Sequence, residues 1–149
     1  MSEEPTTTTL RVPWHLWVIG ILALLWNAMG AFDYLMTQTR NEGYMSQFTP
    51  EQLEYFYGFP AWVVAFWALA VWGGVLGTIF LLLRKRFAVQ TLLVSFVAMV
   101  ITTIRNVFLT DGLEAMGGGF AMIFTALIFI FALLLYLYAR AMRGKGVLT

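Results

Sequence analysis

The sequence predicts an all-α integral membrane protein, a bundle of four transmembrane helices with short loops and a short surface helix in the first outer loop. Three observations carry that reading. Hydrophobic residues make up 60% of the 149 positions and aromatic residues 17%, while charged residues make up only 11%, against about a quarter in an ordinary soluble domain. The apolar residues gather into four long segments, each near the roughly 20 residues a helix needs to cross about 30 Å of hydrocarbon, where every backbone group has to be paired internally. Almost every Lys and Arg lies on one side of those segments. A single transmembrane domain over residues 1–149 accounts for the whole length.

The elements follow in order. Residues 1–12, with the run Thr6 to Thr9, read as a flexible cytoplasmic tail. The first span runs from about Trp14 to Gln38. Its apolar run continues past the small residues Ala28-Met29-Gly30, and Glu3 and Glu4 precede it with only Arg11 as a positive flank, so an uncleaved anchor is expected and not a signal peptide. In the loop that follows, Thr49-Pro50-Glu51-Gln52 has a Thr cap, Pro in the first turn and Gln three residues after the cap, which predicts a helix over about 50–57. Leu53, Phe56 and Tyr57 would form its apolar side, with Glu51 and Glu54 toward water, so that it lies on the membrane surface. Pro60 opens the second span, about Pro60 to Leu83. The third runs from about Phe87 to Leu109 and is followed by Asp111-Gly112. Gly117-Gly118-Gly119 precede the fourth, about Phe120 to Ala139.

Loop charges set the orientation. Arg84, Lys85 and Arg86 form the turn between the second and third spans, Arg140, Arg143 and Lys145 follow the fourth, and Arg11 precedes the first. The opposite side holds Arg40 with Glu42, Glu51, Glu54, Asp111 and Glu114. The positive-inside rule then puts both termini in the cytoplasm. Trp14, Trp17, Tyr136 and Tyr138 at one end, and Tyr55, Tyr57 and Trp62 at the other, fit interfacial aromatic belts.

Small residues mark where the helices would meet. Gly73 and Gly77 stand four apart with Ala70 on the same side, and Gly20, Ala23, Asn27 and Ala31 form a stripe that runs on to Tyr34 and Gln38. Ala121, Thr125, Ala132 and Ala139 do the same in the fourth span. Packing within the bundle and a dimerisation face both use such stripes.

Two charged residues stand inside spans. Asp33 and Arg105 each lie about five residues inside the outer end of a helix, at about 7 Å depth for a rise of ~1.5 Å per residue. Insertion scales put a charge at a membrane centre at about 2.5–3.5 kcal/mol, and such residues usually pair with one another, so the two form a candidate ion pair. Around them, Thr91, Ser95, Thr102 and Asn106 of the third span, Asn27 and Tyr34 of the first and Thr125 of the fourth could line an outward-opening polar pocket. An Arg among amides and hydroxyls suits a small anionic or polyhydroxylated ligand. The alternative needs no ligand: the charges neutralise each other, the hydroxyls bond backbone carbonyls and the amides tie helices together.

Other chemistry is sparse. The chain has no Cys, which excludes disulfides, thiolate nucleophiles and Cys-based metal sites. The single His15 excludes a bis-histidine haem within one chain. The acidic loop residues have no metal-ligand spacing, and the basic clusters are accounted for by topology, although they would also attract anionic lipid. No cofactor, metal site or nucleic-acid partner is expected.

The stretch Trp26-Asn27-Ala28-Met29-Gly30-Ala31-Phe32-Asp33-Tyr34, the loop Phe48-Thr49-Pro50-Glu51-Gln52 and the run Pro60-Ala61-Trp62 resemble a group of small, uncharacterised bacterial membrane proteins, some of them labelled as sugar transporters. In helix number and size the chain is also similar to DoxX-like proteins. The resemblance implies a bacterial inner-membrane location; its motifs mark the group and carry no chemistry of their own.

Two functional readings stay open. In one, the chain is noncatalytic and acts by association, as an accessory subunit of a larger membrane complex or as a homo-oligomer. In the other, it binds or transports a small polar solute through the cluster around Asp33 and Arg105. An enzyme would need a nucleophile or an acid/base pair, and Asp33 with Tyr34 is all the sequence offers; a carboxylate beside an Arg stays ionised.

Overall fold

The computed structural model describes residues 12–110, 112–115 and 118–149. Its elements are α1 (Trp14–Gln38), α2 (Glu42–Met45), α3 (Pro50–Tyr57), α4 (Ala61–Leu82), α5 (Phe87–Ile104) continued by a π-helical turn (Arg105–Leu109), α6 (Gly112–Ala115) and α7 (Gly119–Gly144). Among the described residues there is no strand. Four helices are long and apolar enough to cross a membrane, with mean hydropathy between 1.6 and 2.7 over their apolar windows.

The expected ends need small corrections. The second span starts at Ala61, with Pro60 as its cap, and ends at Leu82. The fourth continues past Ala139 to Gly144, because basic residues in a last turn are favoured by the helix dipole and do not end a helix. The end of the third is π-helical, and α2 and α6 were not anticipated. Of the expected 1–12 tail, residues 1–11 lie outside the described residues, while Val12 packs against the core. The loop helix forms over Pro50–Tyr57 as its signature requires: Thr49 Oγ1 accepts from Gln52 N at 3.2 Å and Gln52 Oε1 accepts from Thr49 N at 3.0 Å.

Three helices end alike. After α1, Asn41 N donates to Met36 O and Arg40 N to Thr37 O; after α4, Lys85 N donates to Phe80 O and Arg84 N to Leu81 O; after α7, Val147 N donates to Met142 O and Gly146 N to Arg143 O. Each is a Schellman closure turning on a left-handed residue, Arg40 (φ 52), Arg84 (φ 60) and Gly146 (φ 75).

α4 is the hub. It packs most extensively on α5 and next on α1, while α5 also packs on α7. Gly73 and Gly77 face α5: a Cβ at Gly77 would come within 2.6 Å of the Leu92 side chain, and one at Gly73 within 3.0 Å of Ser95 Cβ. That proximity allows an interhelical bond, from Ser95 Oγ to Ala70 O at 2.5 Å. Gly20 lies against Leu82, and Ala31 is buried, so these small residues serve packing within the bundle. The α1/α7 seam is closed by large side chains: Trp26 sits edge-on to Phe131 at 5.3 Å between centroids, and His15 Nδ1 is hydrogen-bonded to Tyr138 Oη.

The core is concentrated at the arginine-rich end. Leu16, Leu81, Ala88, Val89, Leu92, Ala139 and Met142 form one buried cluster, completed by Val147 and Leu148 folding back beneath α7. Thr149 N donates to Arg84 O at 2.9 Å and Arg84 Nε to Val147 O at 3.1 Å, which hold that return segment in place.

Candidate functional site

The polar residues picked out in the sequence fall into three places. Mid-span, Asn27 of α1 donates from Nδ2 to Ala23 O at 2.8 Å and to Thr78 Oγ1 of α4 at 3.3 Å, and Thr78 Oγ1 donates to Gly74 O at 2.7 Å. The Asn27 carboxamide occupies the space that a side chain at Gly74 would fill. This node ties α1 to α4. Gly74 and Thr78 were missed, although they too stand four apart on α4 and carry the small-residue signal of Gly73 and Gly77.

Near the C-terminal end of α1, Asp33 Oδ1 accepts a hydrogen bond from Tyr44 Oη of α2. Withdrawal from water, then the Asp33 carboxylate as acceptor and neighbouring charge, push the Tyr44 hydroxyl up to about 12. The expected pairing of Asp33 with Arg105 is therefore corrected: each takes a different partner. The reason is helix order, since α1 packs on α4 whereas Arg105 sits at the end of α5, which packs on α4 and α7. Equal depth along two helices does not bring them together when a third stands between.

The third place is the π-helical turn. It carries Arg105 and Asn106, whose partners lie in α3 and the loop after it, and such turns occur frequently at functional sites. Arg105 Nη1 donates to Asn106 Oδ1 at 3.3 Å, and its guanidinium lies over the Phe59 ring, 5.3 Å from the centroid. Tyr55 Oη donates to Asn106 Oδ1 at 3.1 Å and lies 2.9 Å from Thr110 Oγ1. Aromatic rings extend the cluster: Phe59 contacts Tyr55 and Trp67 edge-on at 5.2 and 5.9 Å, and Trp67 contacts Tyr34 at 4.8 Å. Arg105, Asn106 and Tyr34 of the expected pocket thus belong to one connected group. Asn27 and Asp33 do not, nor does Thr102, whose hydroxyl donates to Met99 O; among the described residues Thr125 makes no side-chain bond to this group. Asp111 lies outside the described residues. Tyr55 read as a belt residue, while Phe59 and Thr110 were missed because loop positions carry no periodic signal.

Chemically the group combines a guanidinium, a carboxamide, three hydroxyls and aromatic faces, all half-buried at the acidic end of the bundle. These groups donate to and accept from hydroxyl-bearing solutes and carboxylates, and aromatic faces cover apolar C–H surfaces. Among the described residues no cluster of His, Cys, Asp or Glu could hold a metal. No family model matches the chain, and no curated protein or solved structure matches it either.

Proposed function

We propose that this is a noncatalytic inner-membrane protein of bacteria, both termini cytoplasmic, that binds a small polyhydroxylated or anionic solute from the outer side. The observation that carries the reading is Arg105, held by Asn106 and Phe59 at the π-helical turn instead of by Asp33. The positive-inside pattern supports the orientation, and placing Arg105 outside matches its position at the acid-rich end. The reading is of binding and not of carriage, since alternating access usually uses repeats and broken helices around a midplane site. The test is thermal unfolding of the detergent-purified chain against a panel of monosaccharides, polyols and small carboxylates. At least one compound is expected to raise the midpoint of the wild type and leave Arg105→Ala unmoved. If no compound acts, or if Arg105→Ala responds equally, the reading fails.

A second reading, action through association with other membrane proteins or with itself, is favoured by α7. Only 6% of its apolar stretch is buried, against 17% to 22% in the other spans, and Phe120, Ile123 and Phe124 are among its exposed side chains. Native mass spectrometry of the chain at natural abundance in a lipid-preserving medium tests it: a discrete complex supports association, and a bare monomer rejects it.

A further inference from the structure

The arginine-rich end, remote from the Arg105 group, carries a shaped concavity of about 320 Å³ lined by Arg86, Phe87, Gln90, Arg143 and Thr149. Its two guanidinium groups come from different elements, Arg86 from the turn before α5 and Arg143 from the last turn of α7. Like charges on neighbouring helices repel, so their sharing one hollow is imposed by the fold. The return segment does this: Val147 and Leu148 are buried in the core, and the bonds between Arg84 and Val147 and between Thr149 and Arg84 fasten α7's end to the α4–α5 turn. Arg84, Lys85, Arg86, Arg140, Arg143 and Lys145 gather here, and every Asp and Glu among the described residues belongs to the other end. Phe87, in the lining, is 64% exposed and gives the hollow an apolar flank.

We propose that this concavity is a binding site for a phosphate group, presented by an anionic lipid headgroup or free in solution. Arg86 and Arg143 supply the fork-shaped donors that match phosphate oxygens, Gln90 adds an amide donor, and the volume is ample for one such group together with water around it. The hollow sits at the arginine-rich ends of α5 and α7, where membrane-crossing helices would meet the headgroup layer, and the exposed Phe87 ring offers an apolar contact for an acyl chain.

The full chain is reconstituted in phosphatidylcholine nanodiscs, and its thermal unfolding is followed on addition of phosphatidylglycerol or, separately, of inorganic phosphate against chloride at equal ionic strength. The wild type is expected to be stabilised by at least one probe, and which one acts identifies the source. Arg86→Gln and Arg143→Gln are each expected to weaken the response about fivefold, the size of one basic residue's attraction to an anionic surface. Gln90→Glu, which introduces an acid into the hollow and keeps both arginines, is expected to weaken it as well. The pair Lys85→Gln and Arg140→Gln, outside the lining, is expected to respond as the wild type does. The proposal is overturned if neither probe stabilises the wild type, or if that outer pair loses as much as the lining substitutions, since the attraction would then belong to surface charge at large.

Discussion

At the residue scale, the mid-span node shows how a glycine and an amide specify one another. Gly74 leaves the room that the Asn27 carboxamide fills, and Asn27 reaches Thr78 because of it. Gly74→Ala is therefore expected to destabilise the bundle by about 1–3 kcal/mol, the usual result of forcing an extra methyl into a filled interior. Asn27→Ala in the same chain should recover part of that loss, and a double-mutant cycle of unfolding in mild detergent reads the coupling. Tyr44 offers a pH test. Its hydroxyl is raised to about 12 by burial and then by Asp33, above the ordinary value near 10. Between these values the folded chain holds a proton that the unfolded chain has lost, so the stability linked to Tyr44 is complete below pH ~10 and disappears as pH rises through about 12. Tyrosinate absorbance of wild type minus Tyr44→Phe should show one titration about two units above a free tyrosine. A midpoint near 10 would mean that neither the burial of Tyr44 nor its bond to Asp33 persists in solution.

At the element scale, the three helix ends close on the same motif with different residues at its left-handed position. Gly146 is suited to it; Arg40 and Arg84 are not, since a side chain there is disfavoured by about 1–2 kcal/mol. The two arginines repay this differently. The Arg40 guanidinium lies 4.2 Å above the Tyr57 ring, an exposed contact worth about 0.5–1 kcal/mol, so Arg40→Gly is expected to be neutral to mildly stabilising. Arg84 donates to Val147 O and so anchors the return segment, a charged-group bond of about 1.5–3 kcal/mol. Arg84→Gly is accordingly expected to lower stability despite easing the backbone, and equilibrium unfolding of the two variants side by side should give opposite signs or at least this order.

At the scale of the whole molecule, the spans were legible because each depends only on a local length of apolar sequence, and the loop helix was legible because a capping box is a local signature. What stayed hidden was azimuth and order. Asp33 and Arg105 match in depth, yet nothing along either helix says that α4 stands between them. The π-helical turn contains no Pro or Gly to announce it, and two apolar residues, Val147 and Leu148, are too short a signal to show that the chain returns to the core. Helix order has a mechanical side. α4 and α5 approach backbone to backbone through Gly73 and Gly77 and share a bond between Ser95 and Ala70, whereas α1 and α7 meet through rings and the pair His15 and Tyr138. Drawn apart by its ends, the chain should first part along that ring-filled seam and give up its outer helices one at a time. The α4–α5 hairpin should be the last piece to unfold, and Gly77→Leu, by wedging it open, should merge its final rip into the earlier ones in a single-molecule force trace. Built this way, the bundle behaves as a tightly sewn spine with two covers, each fastened to it at fewer points.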